Sequence, residues 1–369
     1  MTNLVNGAGL RLQAMVAAAF ADPRALARVA ALHLAAMAAL YLVTFTDMAE
    51  LQAIWADPRT PLPQHMQFLL FNPLPNLFGH LFAPSGALGY YLVTLAWTAL
   101  GVFGTLAVIF ASERGERRAL YVLMFLGCFV LFCITQRIGK SDPLFVFFYV
   151  CAFFLRRNPW VSGLFLAATY LCHPSQGTFL IVVHAMLAAM EQPGLRVRAL
   201  IAPAIGFALG FALNQAYIAH FDLSFGIDRI EYARIYAPII FQSMLTNPVL
   251  SLYSAYGLMW VAVLARAAQA DQRWFKLAAL FPLAAAFGTE YSRVAMMVGL
   301  PLFFFTIEYF AAHRLEAAKA FMIRYAPVLV PASLIMFMTM TEGAVISSAW
   351  WFWLTHPKIA PLYQGLFGG

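Results

Sequence analysis

ALGYYLVTLAWTALGVFGTLAVIFA, the stretch from Ala87 to Ala111, contains twenty-five residues and no charged side chain. A helix rises about 1.5 Å per residue and the hydrocarbon core of a bilayer is about 30 Å thick, so about twenty apolar residues are enough to cross it. The stretch is therefore predicted to be a transmembrane helix.

The rest of the chain has the same character. Of its 369 residues, 63% are hydrophobic and only 11% are charged, and the mean hydropathy is +0.76. Such a chain has too little polar surface to cover a water-soluble globule. It is predicted to be an all-α polytopic integral membrane protein, a single domain over residues 1–369. Breaks in the apolar runs indicate about eleven transmembrane helices, several of them short, near Val29–Thr46, Ala87–Ala111, Ala119–Thr135, Leu144–Leu155, Trp160–Cys172, Gly177–Met190, Ala199–Tyr217, Val249–Ala265, Leu277–Phe287, Val294–Tyr309 and Ala326–Met340.

Lysines and arginines predict the orientation, because short basic loops stay in the cytoplasm. With the N-terminus inside, sixteen of the 23 basic residues fall on the cytoplasmic side, and the formal charge of +7 divides into +9 inside and −2 outside. Residues 1–28 are then a cytoplasmic amphipathic segment, and residues 341–369 an extracytoplasmic interfacial C-terminus. The plasma (inner) membrane is the predicted location. The basic character indicates topology and contact with anionic lipid, and no nucleic-acid partner.

Several predicted helices are too short to cross the bilayer, and their cytoplasmic ends are held by basic residues. Their outer turns must therefore lie below the membrane surface. Non-helical backbone at that depth survives only inside protein or beside water, so we expect an outward-facing, water-accessible cavity. Its wall is predicted to contain these polar residues: Arg137, Lys140, Asp142, His173, Ser175, Gln176, Glu290 and Arg293.

Each of these charges also has a structural interpretation. Arg137 with Asp142, and Glu290 with Arg293, could be ion pairs at helix ends. Asp142 precedes Pro143 and fits a helix N-cap. Ionisable groups at membrane depth nevertheless default to functional candidates.

Two outer segments add further candidates. Residues 47–86 form a long first extracytoplasmic loop that opens with Asp47 and Glu50 and contains short interfacial helices near Met66–Phe71 and Leu77–Phe82. The segment His220–Thr246 carries Arg229 and Arg234, which could clamp one anionic group or belong to a solvated helix.

One membrane helix that leads into a large outer loop opening with an acid, here Asp47 and Glu50, resembles the GT-C class of integral-membrane glycosyltransferases. The stretch from Arg137 to His173-Pro174-Ser175 is also similar to exopolysaccharide polymerases of the EpsG type. The resemblance implies a polyprenyl-phosphate-linked sugar donor, a glycan or glycolipid acceptor, and a loop acid that acts as general base or helps to bind a metal. Asp47 and Glu50 are three residues apart and make no Asp-X-Asp pair, so a divalent metal stays an open alternative and no other cofactor is expected.

Sugar transfer needs a base for the acceptor hydroxyl, cations for the departing phosphate and side chains that seat the sugar. Asp47 is the predicted base, with Glu50 as its substitute. The predicted phosphate ligands are Arg137, Lys140, Arg293 and Arg234, and Asp142, His173 and Glu290 would orient them or the acceptor. His80 and Trp55 would contact sugar.

Other interpretations remain open. Asp47 could simply cap a helix, and His173 could be a helix-end histidine bonded to a carbonyl group. His33 and His184 are interpreted as packed residues. A transporter or flippase for an amphiphilic anion would also need a charged cavity between helices, and a structural or assembly subunit is a third possibility.

Overall fold

The computed structural model describes residues 2–41, 44–45, 47–62, 64–82, 85–191, 196–224, 256–269, 275–280, 291–335, 338–339 and 345–346, together with Arg234, Pro238, Gln242 and Tyr253. Within this part, the side chains of residues 2–6, 44, 64–66, 68, 136, 137, 196, 291, 292, 338, 339, 345 and 346 are not described. Arg229 and Glu290, both predicted site residues, lie outside the described residues.

Nearly all described residues are helical. The first half contains α1 (Thr2–Ala21), α2 (Pro23–Leu40), strand β1 (Thr44–Phe45), α3 (Met48–Ala56), a 3₁₀ helix (Gln64–Phe71), α4 (Pro73–Phe82), α5 (Gly86–Ser112), α6 (Gly115–Leu126), α7 (Phe129–Gln136) and strand β2 (Arg137–Ile138). The second half contains α8 (Asp142–Phe154), α9 (Pro159–Cys172), α10 (Pro174–Glu191), α11 (Arg196–Phe221), α12 (Met259–Ala267), α13 (Tyr291–Val298), α14 (Leu300–His313), α15 (Leu315–Ser333), β3 (Met338–Thr339) and β4 (Val345–Ile346).

Several of these helices can cross a membrane. In the part of the chain that the structure describes, three are long and apolar enough: α2, α5 and residues Val197–Phe221 of α11. A fourth crossing is obtained if α6 and α7, which meet at an angle of 60°, form one broken span. The helical, membrane-capable character predicted from composition is thus present, but the count of eleven spans is not confirmed.

The first apolar helix begins earlier than its hydrophobic run suggests. The Asp22 side chain accepts hydrogen bonds from the backbone N–H groups of Arg24 and Ala25, and Pro23 occupies the first turn. Both features start a helix. Helix α2 therefore covers Pro23–Leu40 and not Val29–Thr46, and the chain is already extended at Tyr41.

Helix α1 packs along the bundle. Its Val16, Ala19 and Phe20 side chains are buried, and the Gln13 side-chain amide donates to the Arg324 carbonyl group of α15 at 3.0 Å. A side chain at Gly9 would touch Pro327. Helix α1 thus runs antiparallel to α15, which the amphipathic pattern of residues 1–28 did not indicate.

Two of the helices predicted to be short are short: α8 and α9 have 13 and 14 residues, or about 20 Å of length each. The prediction is wrong for Gly177–Met190, because it belongs to α10, which has 18 residues, and most of Leu277–Phe287 lies outside the described residues. Helix α5 makes room for α8 with a π-helical turn at Leu100–Gly104. A Cβ on Gly101 in that turn would lie 2.7 Å from Pro143 Cβ, which explains the glycine.

The first loop consists of short helices, as predicted. Helix α4 packs against α3, and a Cβ on Gly79 would collide with the Trp55 indole, so only glycine fits there. Trp55 is 1% exposed and packs against the Tyr90 ring in a tilted arrangement and against the Trp97 ring edge to face. Trp55 is therefore a core residue and is not available for the predicted contact with sugar.

Candidate functional site

A short pair of strands places the first acid of the loop beside a distant lysine. Strands β1 and β2 are parallel, with Thr44 opposite Arg137 and Phe45 opposite Ile138. Asp47 and Lys140 each come two residues after the end of their strand. The Lys140 Nζ atom contacts Asp47 Oδ2 at 2.5 Å, across 93 residues of sequence.

Asp47 has an unusual backbone. It lies at the N-cap position of α3 with φ 58° and ψ 28°, and its side chain makes no capping hydrogen bond. Left-handed conformations cost an ordinary L-residue about 1–2 kcal/mol, although Asp tolerates them better than most. The interpretation of Asp47 as a simple helix cap is therefore wrong, because the carboxylate binds Lys140 instead.

A second ion pair lies next to the first. Arg293 Nε contacts Asp142 Oδ2 at 2.5 Å and Nη2 contacts Oδ1 at 3.1 Å, so the contact is bidentate. The two side chains are 8% and 2% exposed. The N-cap position of α8 belongs to Ser141 and Asp142 is its first residue, so Asp142 does not serve as the predicted cap. The ion pair of Asp142 with Arg293 instead joins two polar turns that are 151 residues apart in the sequence.

Electrostatic interactions unite the two pairs with a histidine. Asp142 interacts with Lys140 and His173 as well as Arg293, and Arg293 interacts with Asp47. The His173 Nδ1 atom lies 3.2 Å from the Ser175 hydroxyl group, so this histidine also binds a neighbouring side chain. We call these five residues the ion cluster: Asp47, Lys140, Asp142, His173 and Arg293.

Two helices begin at the ion cluster. Asp142 is the first residue of α8 and His173 directly precedes α10, while Arg293 is a residue of α13, which packs against α10. Backbone N–H groups at helix N-termini favour negative charge. Nearby in α10, Gln176 is buried and its Oε1 atom has no hydrogen-bond partner among the described residues. The arrangement combines two cations, a histidine and helix N-termini with two carboxylates, which suits an anionic ligand and a proton transfer.

The other predicted site residues are not brought into the ion cluster by any described contact. Glu50 lies one turn after Asp47 in α3 and is partly buried. His80 contacts the Trp55 carbonyl oxygen through Nδ1 at 2.6 Å and so braces α4 against α3. Arg234 is exposed. The backbone of Arg137 forms β2, but its side chain is outside the described part.

The described residues of the ion cluster do not line the solvated cavity that was predicted. Asp47 and Lys140 are 13% and 7% exposed, so the ions mostly face each other and protein. A cavity of about 580 Å³ is present elsewhere, but mostly apolar residues of other helices line it.

The structure contains a second group of paired charged side chains, which was not predicted from the sequence. Glu308 of α14 binds Arg117, Arg156 and Tyr121, and Arg117 also binds Glu113. We call these residues the glutamate network: Glu113, Arg117, Tyr121, Arg156 and Glu308. The available signal was the lone acid in the apolar run LPLFFFTIEYF, residues 300–310.

The described donors do not fit a metal centre. No three His, Cys, Asp or Glu side chains converge among the described residues in the manner of a metal site, and the carboxylates of Asp47 and Asp142 each bind a basic group. Comparisons of the chain with protein-family models, curated proteins and solved structures found no match.

Proposed function

We propose that this chain is a membrane glycosyltransferase that moves a sugar from a polyprenyl-phosphate-type lipid to a glycan or glycolipid acceptor on the extracytoplasmic side, in polysaccharide or glycolipid assembly. The observation that carries the proposal is the convergence of a strained acid, a second acid, two cations and a histidine at the ends of short helices. Sugar transfer from a lipid phosphate requires this combination of a base and phosphate-binding cations.

Asp47 acts as the general base. Lys140 holds its carboxylate in one position, and the left-handed backbone aims the side chain away from the N-terminus of α3. The acceptor hydroxyl oxygen attacks the anomeric carbon of the donor, and its proton passes to the Asp47 carboxylate. The bond between that carbon and the phosphate oxygen breaks, and the phosphate departs with the electron pair.

Arg293, Lys140 and His173 bind the phosphate. Asp142 is a positioning residue: its bidentate contact fixes the plane of the Arg293 guanidinium before the donor arrives. Prepositioned cations need no reorganisation as negative charge develops, which is why they lower a barrier effectively. No step is assigned to a metal, because the described carboxylates are engaged by cations.

The length of α8 supports a site at membrane depth. The helix begins at the ion cluster, and Arg156, two residues past its end, reaches Glu308. Its thirteen residues extend about 20 Å, against a hydrocarbon thickness of about 30 Å. With the Arg156 end and the N-terminus at the cytoplasmic surface of the inner membrane, the ion cluster lies about 10 Å below the outer surface, within reach of a lipid-linked phosphate.

A transporter or flippase of a lipid-linked or anionic amphiphile is the second candidate. One observation favours it: the 60° bend between α6 and α7, directly before β2. Carriers build their sites at such discontinuous helices.

The experiment uses the purified full chain in liposomes with a polyprenyl-phosphate-linked sugar and measures release of the polyprenyl phosphate product. Asp47→Asn should lower the rate about 10²–10⁴-fold, because a general base contributes about that factor. Asp57→Asn is the matched control: it removes an exposed acid of the same loop and should leave the rate unchanged. Full activity of Asp47→Asn would overturn the assignment of the base, whereas passage of the intact lipid-linked sugar between leaflets without release would establish the carrier.

A further inference from the structure

A long apolar cavity lies away from the ion cluster. Its volume is about 580 Å³, within the range of about 300–1,000 Å³ that is typical of ligand sites. Residues of α1, α2, α6, α12, α14 and α15 line it, and none of the ion cluster does.

The cavity follows one helix. Its lining includes every third or fourth residue from Arg314 to Leu334, which is one face of α15 and its two flanking residues. At 1.5 Å per residue that face is about 30 Å long, so the cavity is elongated along α15. This shape suits one extended hydrocarbon chain better than a folded ligand.

The cavity also has exposed apolar lining. Leu32 and Phe321 line it and are 61% and 44% exposed. In a membrane-spanning chain, apolar side chains with this exposure face lipid tails. An acyl chain of a bilayer lipid can therefore enter the cavity laterally. A water-soluble ligand would not require an opening toward the lipid.

One end of the cavity is basic. Arg314, just before α15, lines it and is exposed. Because α1 runs antiparallel to α15 and α2 follows α1 after one residue, the start of α2 lies at this same end. Arg24 and Arg28 are in the first two turns of α2, and both are exposed. Lys319 at this end is already paired with Glu116.

We infer that this cavity binds one acyl chain of an anionic phospholipid, with the lipid phosphate at Arg314. The site is distinct from the proposed sugar-transfer site and does not depend on it. An apolar slot receives the chain by close packing without exposing it to water, and a basic rim selects anionic headgroups over zwitterionic ones.

The test uses full-length protein in phosphatidylcholine nanodiscs with a trace of phosphatidylglycerol that carries a photoreactive diazirine in its acyl chain. Labelled peptides are mapped after irradiation. Label is expected on Met322 and Met124, which face the cavity. Ala317→Phe should lower this labelling about tenfold by filling the slot. Ala320→Phe is the matched control on an exposed, non-lining position of α15 and should change nothing.

Headgroup selection is tested separately. Arg314→Gln should reduce labelling by phosphatidylglycerol to the level given by the same diazirine on phosphatidylcholine, whereas Arg157→Gln, an exposed arginine elsewhere, should not. Asp47→Asn should label normally, so a failure of the glycosyltransferase proposal would not affect this result. Unchanged labelling in Ala317→Phe, equal labelling of exposed α11 residues, or competition by inorganic phosphate alone would overturn the proposal.

Discussion

The ion cluster and the glutamate network lie at opposite ends of α8, about 20 Å apart, and both combine acids with arginine or lysine. Their backbones differ. The members of the glutamate network lie in or within two residues of a regular helix, and the left-handed residue beside them is Gly115 at φ +55°. In the ion cluster, Asp47 itself has a left-handed conformation, and Lys140 follows Gly139 at φ +113°. Of these two groups, only the ion cluster holds one of its own charged residues in that conformation.

Burial separates the two groups as well. The charged side chains of the glutamate network are 14% to 34% exposed, while those of the two cluster pairs are 2% to 13% exposed. Removing ions from water costs several kcal/mol each, and replacing a buried pair by apolar residues is often neutral or stabilising. The glutamate network can be explained by packing alone. The ion cluster combines backbone strain with desolvation, which stability does not require and which points to function.

The largest effect on stability is expected from breaking the Asp142–Arg293 pair. Asp142→Asn leaves a buried guanidinium without its carboxylate and should lower the free energy of unfolding by about 3–5 kcal/mol. The double variant Asp142→Leu with Arg293→Met should recover most of that loss and remain inactive. Chemical denaturation in detergent and product release measure the two quantities. A stable and active double variant would assign this pair to packing, as in the glutamate network.

A smaller effect is expected in the glutamate network. Glu308→Gln weakens charge-assisted hydrogen bonds to Arg117, Arg156 and Tyr121 and should cost about 1–3 kcal/mol of unfolding free energy. Activity per folded molecule should not change. A loss of activity beyond the loss of folded protein would remove the functional distinction between the two regions.

The backbone strain at Asp47 predicts a still smaller difference. Asp47→Gly and Asp47→Ala should both be inactive, but the glycine variant should be more stable by about 1 kcal/mol because φ is 58°. The same denaturation measurement compares them. Equal stabilities would mean that Asp47 is not held in the left-handed conformation.

The smallest effect is expected at the partly exposed pair of Lys319 and Glu116, whose side chains are 27% and 34% exposed. The hydrogen bond to Glu116 raises the pKa of Lys319, so the pair is charged at neutral pH. Exposed ion pairs contribute little because water and salt screen them. Lys319→Gln should leave both unfolding and activity unchanged. A clear loss would show that exposure is a poor guide to the difference between the two charged regions.

Much of the ion cluster could be predicted from sequence. Polar turns are easy to recognise where they interrupt apolar runs. Short helices whose cytoplasmic ends are held by basic residues imply that these turns lie below the membrane surface. This reasoning identified all five residues of the ion cluster: Asp47, Lys140, Asp142, His173 and Arg293. Their pairing could not be predicted. The two described pairs join residues 93 and 151 positions apart, and a local pattern contains no information about which distant turn is adjacent.

Helix boundaries show the same division. Asp22 and Pro23 carry a recognisable start signal that the hydropathy pattern obscured, so α2 begins earlier than predicted. The bend between α6 and α7, and the π turn of α5 against Pro143, depend on contacts with other helices. Such features cannot be recognised from the residues of one helix.

Composition and hydrophobic runs are local properties of the chain, and they are enough to establish the helical, membrane-capable class of this protein and the residues that carry its charge. The contact of Asp47 with Lys140, the contact of Asp142 with Arg293 and the apolar cavity along α15 became known from the folded arrangement of the helices. Those features depend on how helices pack, and packing is fixed by the simultaneous fit of many side chains that are distant in sequence.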